Sequence, residues 1–131
     1  MENQEQTTEQ MNFVFNEYIV LQIYQHLLSL AWQSRTTTYE EIALQFGLPS
    51  KGNQLGQTLS PILGRIFSFC DSKKQPYLTS LVVRKSGPDK GIPGTGFWEL
   101  FGIMYSDTPR SMKRQITENM QESVFSYWKA L

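Results

Sequence analysis

Thr36-Thr37-Thr38-Tyr39-Glu40-Glu41-Ile42-Ala43-Leu44-Gln45-Phe46-Gly47-Leu48-Pro49-Ser50-Lys51-Gly52-Asn53-Gln54-Leu55-Gly56-Gln57-Thr58-Leu59 is the stretch whose reading decides the fold. Thr38 suits an N-cap, because its hydroxyl can accept from a free backbone N–H, and Glu41 three residues on completes a capping box. Ile42, Ala43 and Phe46 then recur at i, i+1 and i+4, the spacing of one buried helical face. Gly47 tolerates positive φ and Pro49 cannot continue a helical ladder, so the first helix ends there. Leu55, Leu59, Ile62, Leu63 and Ile66 predict a second helix that starts at Ser50 or Asn53. Two short helices joined by a Gly/Pro turn form a helix-turn-helix, a common device for reading DNA.

A chain of 131 residues has the size of one domain with a real core, and 40% hydrophobic with 13% aromatic residues excludes a disordered one. The single cysteine, Cys70, excludes an internal disulfide and fits a reducing compartment. No basic segment leading into an apolar one opens the chain, so a cytoplasmic location is expected. Residues 13–32 are the most apolar span, but Asn16, Glu17, Gln22, Gln25, His26 and Ser29 interrupt them. Those groups are costly in a bilayer, which argues for a buried helix and against a membrane span.

Net charge is zero but unevenly spread. Residues 1–50 hold six acids against Arg35, a balance of −5, and residues 51–131 hold eleven bases against six acids, a balance of +5. A neutral total does not favour a generic nucleic-acid binder, whose affinity rests on neutralising phosphates. The bases Lys51, Arg65, Lys73, Lys74, Arg84, Lys85 and Lys90 nevertheless gather on the helix-turn-helix and the segment after it.

Outward from this centre, residues 1–9 read as a polar tail and residues 10–131 as one domain. A long helix is expected from about Gln10 to Trp32, apolar on several sides through Phe13, Val14, Phe15, Tyr18, Ile19, Leu21, Ile23, Tyr24, Leu27, Leu28 and Ala31. Such a helix needs more than one packing surface: it is the spine of the domain, or it pairs in part with a second copy as a homodimer. Tyr77 to Arg84 is rich in β-branched and aromatic residues and predicts a strand. Gly87, Pro88, Gly91, Pro93 and Gly94 predict a loop, and Gly96 to Phe101 a returning strand. Together these make a β-hairpin wing. Thr108 and Pro109 open a closing amphipathic helix with Met112, Ile116, Met120, Val124, Trp128 and Leu131 on its apolar stripe. The expected class is α+β and mostly helical: a winged helix-turn-helix with a long N-terminal helix, a β-hairpin wing and a C-terminal amphipathic helix.

The words Thr37-Thr38-Tyr39-Glu40-Glu41-Ile42-Ala43, Gly47-Leu48-Pro49 and Leu55-Gly56-Gln57-Thr58-Leu59 resemble the DNA-binding part of the alkyltransferase-like proteins, which include the O6-alkylguanine-DNA alkyltransferases. The resemblance covers about residues 35–64 and extends weakly to 76–83. It implies a helix-turn-helix lying in the minor groove, with Tyr39 matching a tyrosine that crowds the phosphate of a flipped nucleotide. The arginine that fills the vacated gap in that family falls on Asn53 here. The reactive Pro-Cys-His-Arg motif would fall near Pro76-Tyr77-Leu78-Thr79, which holds neither cysteine nor histidine. Alkyl transfer is therefore not expected, since a thiolate needs an activating neighbour.

His26 has no Cys, Asp or Glu at i±3 or i±4, Cys70 reads as a small buried residue, and Glu40 with Glu41 sit where carboxylates favour a helix start. No catalytic residue, cofactor or metal is expected. The function expected is non-enzymatic binding of duplex DNA through the second helix and the wing, by Tyr39, Lys51, Asn53, Gln54, Gln57, Thr58, Arg65, Arg84, Lys85 and Lys90. The alternative is a protein-interaction module, such as a regulator, immunity protein or phage-type inhibitor, using the same fold on a larger protein partner.

Overall fold

The structure, a computed structural model, describes residues 3–103 and 106–131, with side chains from residue 17 on. Helix α1 spans Asn3–Gln33, so it takes in residues 3–9 of the expected tail; residues 1 and 2, and the side chains of Phe13, Val14 and Phe15, lie outside the described part. Ile23, Leu27, Leu30 and Ala31 recur every three or four residues on α1 and are buried. The helix ends where Ser34 takes φ 56° and the Arg35 N–H closes onto the Leu30 carbonyl at 3.0 Å.

Strand β1 (Thr37–Thr38) leads directly into α2 (Tyr39–Gln45). The Thr38 hydroxyl accepts from the Glu41 N–H at 3.2 Å, as the capping pattern requires. The Glu41 carboxylate takes the Thr37 hydroxyl at 3.1 Å, so this acid ties the cap to the strand before it. Gly47, at φ 70°, turns the chain out of α2. Helix α3 (Gly52–Ser72) buries Leu59, Leu63, Ile66, Phe67 and Cys70 on one side.

Residues 77–101 depart from the expected hairpin. Leu78–Leu81 form a 3₁₀ turn and only Val82–Val83 make a strand, β2. Strand β2 pairs in parallel with β1, Thr37 against Val82 and Thr38 against Val83. Leu78, Thr79, Ser80 and Leu81 are all buried, so no polar face alternates with an apolar one. The expected returning strand is helix α4 (Thr95–Phe101). Phe97, Trp98 and Phe101 stand at i, i+1 and i+4, which is helical spacing, and Gly102 at φ 92° closes the helix with its N–H on the Trp98 carbonyl. The β-ribbon wing is thus replaced by a compact loop, Arg84–Gly94. It is held by the Arg84 N–H on the Ile92 carbonyl and the Gly91 N–H on the Arg84 carbonyl, both at 3.0 Å.

Helix α5 (Arg110–Lys129) closes the chain. Val124 is fully buried, while Met112 and Leu131, the ends of the expected stripe, are exposed. Lys113 and Thr117 are buried instead, with the Thr117 hydroxyl donating to the Lys113 carbonyl at 2.7 Å. The stripe is rotated because α5 also holds the 3₁₀ turn, its Gln121 amide donating to the Ser80 carbonyl at 2.9 Å. The architecture is mostly helical with one two-stranded parallel sheet, an α+β arrangement. The larger core joins α1, α2, α3, β2 and α5, and a smaller one gathers Phe67, Ile92, Phe97 and Trp98. Among the described residues, no helix is long and apolar enough to cross a membrane.

Tyr77 links α3 to the 3₁₀ turn. Its ring stacks on Phe67 at 4.2 Å, and its hydroxyl donates to Asp71 at 2.6 Å. That bond to a carboxylate, with some burial, pushes the phenol from 10.0 up to about 12. Because the folded value is raised, the stabilisation is complete below pH 10 and lost as pH rises toward 12. Tyr77→Phe is expected to lessen the alkaline loss of stability in that window and to remove one late-ionising phenol from the tyrosinate absorbance titration. Identical alkaline curves for the two proteins would show that the bond contributes nothing.

Candidate nucleic-acid interface

Between α3 and the Arg84–Gly94 loop with α4 lies an open cleft of about 450 Å³. Gly56, Ser60 and Gly64 of α3 form one wall, and Arg84, Lys85, Ser86, Thr95 and Gly96 the other, with Phe67, Phe97 and Leu100 as apolar lining. Glu40 is the one acid among the described lining residues. Thr79, in the 3₁₀ turn, also lines the cleft; its hydroxyl is buried and has no hydrogen-bond partner within the described residues.

Tyr39 stands on the cleft wall as the first residue of α2. Its hydroxyl accepts from the Gly94 N–H at 2.6 Å and keeps its own proton to donate. Burial pushes this phenol up, although the Gly94 N–H and the charge of Arg84 pull it down, so it stays neutral near pH 7. A Cβ at residue 94 would stand 3.1 Å from the Tyr39 oxygen, which is why glycine occupies this close approach. Tyr39→Phe removes the acceptor and is expected to cost about 1–3 kcal/mol, read as a lower urea midpoint at unchanged slope. A midpoint equal to that of the wild type would mean that water replaces the phenol at no loss.

The remaining expected contacts divide between two sides of α3. Asn53 and Gln57 are exposed and fall at helical spacing with Gly56 and Ser60, along the edge of the cleft. Gln54, Thr58 and Arg65 fall on a second strip, and Arg65 is ion-paired with Glu17 of α1. Arg65 is thereby drawn toward α1, because an acid one helix away compensates it. Lys51 is exposed at the start of α3. Arg84 donates to the Thr95 hydroxyl at 3.3 Å, and Lys85 and Lys90 are exposed.

Sequence reasoning missed the cations of α5. Arg110 pairs with Asp89 at 2.8 Å and Arg114 donates to the Lys90 carbonyl at 3.0 Å, so the first turn of α5 packs on the loop. That turn carries Arg110, Lys113 and Arg114 and no acid, against the preference of a helix start for negative charge. This clash with the helix field was the available signal.

His26 packs its ring edge-on to Phe46 at 5.6 Å and meets the Gln45 amide at 3.4 Å, and burial lowers its pKa. Burial pushes the Cys70 thiol up, which disfavours the thiolate. Among the described residues, no three His, Cys, Asp or Glu side chains gather in a way that could hold a metal ion. No protein-family model matches the chain, and neither a curated protein nor a solved structure matches it.

Proposed function

We propose that this chain binds duplex DNA without catalysing a reaction on it, as a winged-helix variant in which the Arg84–Gly94 loop stands in place of the wing. One observation carries the reading. Gly56, Ser60 and Gly64 of α3 line the same cleft as the cationic residues Arg84 and Lys85, and helical spacing puts the exposed Asn53 and Gln57 beside those three. A duplex lying across that cleft meets amide side chains able to pair with base edges on one side and cations able to meet phosphates on the other. The likeness of residues 35–64 to the alkyltransferase-like proteins supports the same surface. The absence of a Cys-His pair beside Thr79 supports binding without alkyl transfer.

The test is a salt series of duplex-binding anisotropy. The logarithm of the affinity should fall linearly with that of salt, with a slope of about −0.9 for each phosphate neutralised. Absence of binding at low salt ends the reading. A second reading, a protein-interaction module or a homodimer through α1, is favoured by Tyr18, Leu21 and Trp32, which are 59%, 51% and 56% exposed. They fall on one side of α1 at helical spacing. A doubled mass in sedimentation, or one stoichiometric partner without DNA binding, would select it.

A further inference from the structure

Three glycines on the walls of the cleft are not required by the fold. Gly56 and Gly64 lie inside α3 and Gly96 in the first turn of α4, and none takes a positive φ. A Cβ at residue 56 or 96 would meet nothing within 4 Å, and one at residue 64 would stand 3.8 Å from the Leu100 Cδ1, an ordinary contact. Alanine therefore fits at these positions, and a helix interior favours it over glycine. What alanine would take away is space in the cleft. Gly56, Ser60 and Gly64 follow one another at four-residue spacing there and leave the backbone of α3 open to an occupant. A second observation is independent of that stripe. Thr79, on the same cleft, is 5% exposed, and its hydroxyl has no hydrogen-bond partner within the described residues. A buried hydroxyl without a partner costs the fold stability, and a ligand that bonds to it removes that cost.

The lining sets the chemistry of the occupant. Phe67, Phe97 and the half-exposed Leu100 supply apolar surface, and the cleft's volume of about 450 Å³ is that of a small-molecule site. Tyr39 keeps a hydroxyl proton to donate, and Arg84 and Lys85 bring positive charge against the one carboxylate of Glu40. We infer that the cleft holds a small aromatic carboxylate, its ring against the glycines of α3 and its carboxylate on the donors of the opposite wall. The site does not depend on the duplex reading, and such a ligand competes with a duplex for the cleft.

The full chain, labelled for amide NMR, is titrated with 3-phenylpropionate, with the uncharged 3-phenylpropanol, and separately with a short random duplex. The amides of Gly56, Ser60, Gly64, Thr79 and Gly96 are expected to shift and saturate with the acid, and the alcohol to bind about tenfold more weakly. Gly56→Ala with Gly64→Ala should raise the melting temperature by about 3–5 °C per site while the affinity for the acid falls at least tenfold. Thr79→Val keeps the shape of the side chain and removes the orphaned hydroxyl. Its melting temperature should hold or rise while affinity falls about tenfold. Amides that do not move with the acid, equal binding of the alcohol, or wild-type affinity in either variant overturn the inference. A double variant that melts below the wild type returns the glycines to the fold and overturns it as well. Duplex binding without a response to the acid keeps the DNA reading and ends this one, and a response to the acid without duplex binding does the reverse.

Discussion

Trp98→Ala is expected to lower stability by about 3–5 kcal/mol, the range for removing a buried large aromatic side chain. Trp98 is fully buried, and with Phe67, Ile92 and Phe97 it makes up the smaller core. Its ring meets Phe97 edge-on at 5.3 Å and Phe101 at 6.1 Å, so truncation also removes two ordered aromatic pairings. The indole N–H donates to the Pro93 carbonyl at 2.9 Å, and the next residue, Gly94, donates its own N–H to Tyr39. Trp98 thus ties α4 to the loop at the point where the loop is tied to α2. Trp98→Phe keeps most of the ring but leaves the Pro93 carbonyl without its donor, a loss of about 1–3 kcal/mol. Urea midpoints should therefore order as wild type, then W98F, then W98A, at an unchanged slope if unfolding is two-state. If W98A unfolds with the wild-type midpoint, the smaller core does not support the fold.

The parts of this architecture that were legible in the sequence are those whose determinants lie within a few residues. Thr38, Glu41 and Gly47 specify the limits of α2 by local hydrogen bonding and backbone freedom, and the structure places the helix between them. The apolar period of α3 is likewise local, and Leu59, Leu63 and Ile66 are buried as that period requires. The pairing of Thr37 with Val82 joins residues 45 positions apart, and no pattern near either one announces it. Residues 77–83 resemble a ribbon strand in composition because β-branched and aromatic residues also suit a chain buried on every side, where the propensity expresses burial. The segment 95–101 reads as a strand by its density of aromatics but is a helix, and its signals were the helical spacing of Phe97, Trp98 and Phe101 and the C-terminal Gly102.

The candidate site was legible where one helix supplies it. Asn53 and Gln57 stand on one exposed edge because 3.6 residues per turn put them there. Arg65 shares that helix but not that edge, and only the tertiary fold brings Glu17 beside it. The cluster of bases contiguous along the chain ends at Lys90, while folding returns Arg110, Lys113 and Arg114 to the same loop. A sum of zero therefore concealed a local excess, which is the quantity a phosphate responds to.

Position, more than total charge, should govern duplex binding, and paired charge reversals test this. Lys51→Glu with Lys85→Glu alters the start of α3 and the wall of the cleft, both exposed. Lys73→Glu with Lys74→Glu makes the same change in net charge at the far end of α3, about 33 Å away at 1.5 Å per residue. The two proteins have equal net charge, so a purely global field would weaken both alike. A duplex seated over the cleft weakens only the first pair. Its affinity at low salt should fall by about a hundredfold, near tenfold for each phosphate left without its lysine, and its slope against salt should shallow by about 2. Lys73 and Lys74 stand more than three Debye lengths of about 10 Å from Lys51 at 0.1 M salt, at the opposite end of α3, so their reversal should leave affinity within about twofold. Equal losses in the two pairs would show that the duplex responds to net charge alone, and the face formed by α3 and the loop would then have no privileged role.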